Sequence, residues 1–148
     1  MVGGQEMLQR ALEESSSLDP ARFIEHLAFF RSSGVDARYI QSICRGVAKH
    51  TRYRFGNLNQ DEDWNPIKPL PSLDFLRLSL LRMLETYSEL WKDENTLQRV
   101  LKAASETAEK REHADRLIIP IFQILNNEYK SPSTINSEKS AQSAALNH

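Results

Sequence analysis

The sequence holds one cysteine, five glycines and six prolines in 148 residues, and its 19 basic and 20 acidic side chains nearly cancel. Each shortage removes a class of protein. A lone thiol, Cys44, can form neither an intramolecular disulfide nor a thiolate zinc cluster, because both need spaced partners. The expected setting is therefore reducing and intracellular, with Cys44 itself a small core hydrophobe, as free cysteines usually are. No apolar run approaches the roughly 20 residues that span a bilayer; the longest, Leu117 to Leu125, is interrupted by Pro120 and Gln123. The start, Met1-Val2-Gly3-Gly4, offers neither the basic nor the apolar region of a signal peptide, and Val2 stands where myristoylation needs glycine. A cytoplasmic location is expected, the nucleus being left open, with no membrane contact. The near-zero net charge argues against a nonspecific polyanion binder.

Catalytic motifs are as scarce. The chain has no Gly-rich phosphate loop, no Gly-x-Ser-x-Gly, no His-Glu-x-x-His and no Cys-x-x-Cys. The densest titratable cluster, Glu109 to Arg116 around His113, has the i, i+3 and i+4 spacing of a solvated salt-bridge face. His26 and His50 fall on polar sides of their helices with no second ligand one turn away. The expectation is a protein that is not an enzyme, with no catalytic residue, no cofactor and no metal.

What the chain does have is helical periodicity. Met7, Leu8, Ala11 and Leu12 mark a short helix over 5–17 that fades into Ser15-Ser16-Ser17 and needs tertiary packing to persist. Asp19-Pro20 opens a helix over 20–32 with Phe23, Ile24, Leu27 and Phe30 in one stripe, and Gly34 stops it. Asp36 starts the next, 37–53, whose Tyr39, Ile40, Ile43, Cys44 and Val47 follow the amphipathic template; Gly46 within it marks a close helix crossing. The stretch 56–71, with its prolines, asparagines and the triplet Asp61-Glu62-Asp63, is a long loop. Ser72 caps a helix over 72–91 and Asp93 one over 94–108. A sixth helix is expected over 112–129, with a short strand at 117–119 as the competing reading, and 131–148 has the composition of a disordered tail.

The fold class expected is all-α, one helical domain over 1–130 with five to six helices, packed as a bundle or as a short stack of helical hairpins. The hairpins 20–53 and 72–108 each run to about 35 residues, the length of one helical-repeat unit, and both open on an aromatic–aliphatic pair, Phe23-Ile24 and Phe75-Leu76. This spacing is similar to that of armadillo and HEAT repeats, and it would imply stacked hairpins.

Three features point outward. Arg38, Arg45, Lys49 and Arg52 fall within roughly a 60° arc opposite the apolar stripe of their helix. That basic face reads either as solvated and paired with Asp61-Glu62-Asp63 or an acidic helix, or as a contact for an acidic protein. It also permits a helix-turn-helix reading in which Gln41, Arg45, Lys49 and Arg52 face DNA. On 72–91, Phe75, Leu78 and Leu81 form a second apolar stripe beside Arg82, which is either core or an interface. Trp64, in its polar loop, either pins that loop to the core or anchors a partner. The functional expectation is a protein-interaction module, an adaptor, scaffold subunit or inhibitor, whose surface combines Phe75, Leu78, Leu81 and Arg82 with Arg45, Lys49, Arg52 and Trp64. A DNA-binding regulator is the alternative, and a homodimer through the same apolar stripe is a further option.

Overall fold

The computed structural model describes residues 2–108. The helix expected over 112–129, its strand alternative at 117–119, the Glu109–Arg116 cluster and the tail at 131–148 lie outside them. Among the described residues the protein is an all-α bundle of five helices: α1 (Val2–Leu18), α2 (Pro20–Ser32), α3 (Ala37–Phe55), α4 (Leu73–Thr86) and α5 (Glu94–Glu106), with a 3-10 turn at Ser88–Lys92. Residues 56–71 are the expected loop.

The bundle is built around α3. Eleven of its 19 residues are buried, and α1, α2, α4, α5 and the 3-10 turn all pack against it. Ile40, Ile43, Cys44 and Val47 meet Leu27 of α2, Leu76, Leu80, Met83 and Leu84 of α4, and Val100 and Ala104 of α5 in a single core. Cys44 is wholly buried there, and desolvation pushes its thiol well above the ordinary range, so it stays protonated. The hairpins are thus arranged about a common central helix.

Two caps form as the sequence indicates: the Asp36 carboxylate accepts from the Arg38 N–H at 2.9 Å, and Ser72 Oγ from the Phe75 N–H at 3.1 Å. Gly34 closes α2 at φ +74°, a conformation that disfavours any side chain. Asp19 and Asp93 cap nothing. Pro20 begins α2 by itself, and Asp93 turns its carboxylate to Thr96 Oγ1 and Arg45.

Two helices depart from the sequence reading. The single helix expected over 72–91 ends at Thr86; Tyr87 is extended, and the 3-10 turn carries Trp91 in a different direction. The break has no proline or glycine. Arg31 of α2 supplies it, donating to the Thr86 carbonyl at 3.2 Å and to both oxygens of Glu89 at about 3 Å, with its guanidinium 4.1 Å over the Tyr87 ring. In α1, the serines that should have ended the helix instead carry its contact. Ser16 and Ser17 are buried and bond back to the Leu12 and Glu14 carbonyls at 2.6 and 2.7 Å, whereas Met7, Leu8 and Ala11 are exposed.

Small side chains at Ser16 and Ser17 bring α1 onto α3 at Gly46. A Cβ there would land on Ser16 Oγ and on the Glu13 carbonyl oxygen, which is backbone and cannot turn away. Gly46→Ala therefore sets a helix-propensity gain of about 1 kcal/mol against an overpacking cost of about 1–3 kcal/mol. The expected outcome is a lower urea midpoint by circular dichroism. A midpoint at or above that of the parent would show that α1 does not seat at Gly46.

Candidate functional site

The basic face of α3 is the first candidate, and the structure turns Arg45 and Arg52 of it toward neighbouring helices. Arg45 donates to Glu13 of α1 at 2.6 Å, to Asp93 at 3.2 Å and to Thr96 Oγ1 at 2.7 Å. Arg52 bonds both oxygens of Glu106 in α5, at 2.9 and 3.1 Å, and that carboxylate also accepts the Asn57 N–H. Hydrogen bonding from Arg52 holds Glu106 below the ordinary carboxylate range. Lys49 is half-buried, with its ammonium 5.6 Å from the Tyr53 ring. Of the readings open for this face, pairing with acidic side chains of other helices is the one seen for Arg45 and Arg52, while Arg38 stays exposed and bonds Asp36 and Gln5. Its arginines tie α3 to α1 and α5, and the acidic triplet is not their partner: Asp61 accepts the Tyr53 hydroxyl at 3.0 Å instead. Gln41, expected in a DNA groove, is buried and donates to the Glu89 carbonyl at 2.9 Å. Gln41, Arg45 and Arg52 are thus engaged in contacts within the bundle.

Trp64 is the second candidate, and it folds back. Its indole stands edge-on to Tyr53, with centroids 4.8 Å apart, and to His50, at 5.3 Å. Trp64 thereby pins the loop to α3 and is not an exposed anchor. His50, expected on a polar side, is wholly buried. The end of α1 and Trp64 of the loop cover the side of α3 on which it lies. A carbonyl can only accept, so His50 Nδ1 donates to the Ser17 oxygen at 2.7 Å and Nε2 accepts from Arg54 Nη1 at 3.1 Å. Arg54 also donates to the Pro71 carbonyl at 2.6 Å. One neutral imidazole thus joins the end of α1 to the end of the loop.

The third candidate, the second stripe of α4, divides. Leu81 is 2% exposed and belongs to the core, whereas Phe75 and Leu78 are 39% and 50% exposed. The two exposed side chains line a groove of about 800 Å³ between α4 and α2. The groove exists because both helices pack on α3 and scarcely touch each other. On the α2 side Ala21 and Ala28 leave room and Ile24 adds an apolar wall; Leu81 and Met83 form the floor. Arg82, exposed, stands on the rim with Glu25 and Glu85. A second concave surface of about 630 Å³ lies between the end of α1, α2 and the loop, where Phe29 and Ile67 are exposed over Phe23, His26 and Phe30. Exposed Phe29 and Ile67 were not singled out from sequence, although Phe29 does stand outside the apolar stripe of its helix. No known family model matches this chain, and no curated protein or solved structure matches it.

Two measurements test this assignment. Arg45→Met leaves Glu13 and Asp93 facing an uncharged side chain in a half-buried setting, and should cost about 2 kcal/mol, between the surface and buried limits for a broken ion pair. Lys49→Met should change the melting temperature little; equal effects of the two would overturn the inward reading of Arg45. Burial lowers the His50 pKa from 6.5 to about 4, so the charged form belongs to the unfolded chain. Its contribution is complete above pH 6.5 and lost as pH falls toward 4, a ceiling of about 3 kcal/mol. Urea midpoints should drop across that window and the drop should vanish in His50→Gln. Glu106 acts only lower, below its ordinary 4.5.

Proposed function

We propose that the protein is a protein-interaction module, an adaptor, scaffold subunit or inhibitor, that receives an amphipathic helix of a partner in the groove between α2 and α4. The observation that carries this reading is the division of α4. Leu76, Leu80, Leu81 and Leu84 are spent on the core, while Phe75 and Leu78 stand exposed together on an apolar-floored cleft. An apolar groove between two helices takes helical ridges spaced i, i+3, i+4 and i+7. Aromatic and arginine side chains at its edge, here Phe75 and Arg82, are the types that concentrate binding energy. Rim charges of both signs, Glu25, Arg82 and Glu85, set orientation and reject mismatched helices more than they add affinity. Relative to the surface expected from sequence, the reading keeps Phe75, Leu78 and Arg82, takes Leu81 as floor, and leaves Arg45, Lys49, Arg52 and Trp64 to the fold.

The test places a photo-crosslinking amino acid at position 78 and, as a control, at exposed position 7 in the full chain. A partner captured selectively at 78 is then purified and its affinity measured. Phe75→Asp with Leu78→Asp should weaken that affinity about a hundredfold or more, the scale of two lost hot-spot contacts, with the helical circular dichroism unchanged. Leu81→Asp should unfold the protein. Equal capture at both positions, or an affinity indifferent to the double substitution, would sink the reading.

A further inference from the structure

We propose that the protein self-associates through the outer face of α2, two copies pairing these helices antiparallel so that Phe29 of each enters the concave surface beside α2 of the other. This face is separate from the α2–α4 groove. At 100° per residue, Arg22, His26 and Phe29 fall within about a 60° arc of α2, and all three are exposed. Ala21, Ile24 and Ala28 turn instead to the groove, and Leu27 turns to the core. Phe23 and Phe30, half-buried, border the outer arc.

What commits the site to a second copy is that the ring and the hollow lie on one face. Phe29, 64% exposed, stands at one end of the concave surface. Leu18, Phe23 and Ile67 wall the other end, beside Arg22, and the Ile67 N–H holds the loop there by donating to the Leu18 carbonyl at 2.8 Å. Phe29 and Arg22 are seven residues apart, about 10 Å along a rigid helix, so the ring cannot fill the hollow of its own chain. A two-fold axis passing near His26 brings Phe29 of each copy level with Arg22 and Phe23 of the other. Each ring then packs on Phe23 and Ile67 of the second copy and meets its guanidinium, a cation–π contact that gains strength as water leaves. The symmetry uses this pairing twice. Charge agrees: Asp19 and Arg22, both lining the surface, are of opposite sign, so the face does not repel its own copy and offers no net attraction to a charged stranger. An interface limited to one helix pair and the loop lies at the small end of the size range, below about 1,200 Å², so the association is reversible.

Sedimentation equilibrium of the full chain, from micromolar to near-millimolar concentration, tests this. The expected result is a monomer–dimer equilibrium that Phe29→Glu weakens about a hundredfold or more, because the two-fold axis removes two anchoring contacts at once. The helical circular dichroism should not change, since the ring is exposed. Phe75→Asp with Leu78→Asp should leave the equilibrium as it was. The pairing of the helices is read with His26→Cys, which the axis sets beside its own copy. On oxidation it should link two chains in about tenfold or greater excess over Glu62→Cys on the exposed loop, as proximity in the dimer raises the effective concentration; Cys44, wholly buried, is silent. A chain that stays monomeric, a dimer indifferent to Phe29→Glu, or equal yields from the two cysteine variants would overturn the proposal. So would a dimer lost with Phe75→Asp and Leu78→Asp, which would move self-association to the groove. If the chain is monomeric yet a purified partner still binds in a Phe75-dependent manner, the groove reading stands alone.

Discussion

Three arginines, Arg45, Arg52 and Arg54, are carried part-buried on the central helix of this bundle, and α1, α5, the segment before α5 and the loop supply the groups that relieve that burial. Charged groups taken from water need opposite charge or hydrogen-bond partners, and an unpaired one is strongly destabilising. Arg45 takes Glu13 and Asp93, Arg52 takes Glu106, and Arg54 takes a carbonyl of the loop and the imidazole of His50. α1, α5 and the loop are therefore held on α3 by polar contacts as much as by apolar ones. The apolar partners α2 and α4 occupy the sides that remain.

This division accounts for the unequal seating of the helices. α1 places Ser16 beside Gly46, because that crossing is too close for a larger side chain, and Leu12 packs on the core while the Glu13–Arg45 pair flanks the crossing. Its apolar Met7 and Leu8 are consequently left outside. The imidazole of His50 is neutral because it is wholly buried, and its Nε2 accepts from Arg54, so a proton added there would meet a donor and a like charge.

Periodicity made the helices legible, because it reports which residues share a face. α2 runs over the expected residues, α3 extends only two further, Cys44 is core, and Gly46 marks a crossing. Periodicity does not report what a polar face meets. Arg45 and Glu13 are 32 residues apart and Arg52 and Glu106 are 54 apart, so nothing local to α3 separates a solvated basic face from an interior one. The end of α4 is concealed in the same way: its local sequence favours helix through Trp91, and the side chain that terminates it comes from α2. The division of Phe75, Leu78 and Leu81 depends on the distance between two helices that touch only through a third.

The groove inherits its shape from that arrangement. α2 buries only Pro20 and Leu27 fully, and the polar ties it makes to the α4 region are those of Arg31 near its last turn, to Thr86 and Glu89, with Tyr87 beneath the guanidinium. Toward Ala21 and Phe75 the two helices are joined through small or exposed side chains. A cleft fixed at one end and sparsely packed at the other widens where few buried contacts oppose it, since local opening is cheapest where contact density is low. Near the start of α4, Arg77 donates to the Thr107 carbonyl just beyond α5. α4 is thus tied to α2 at its last turn and to the α5 region near its first, and the face that bears Phe75, Leu78 and Arg82 is left to line the cleft.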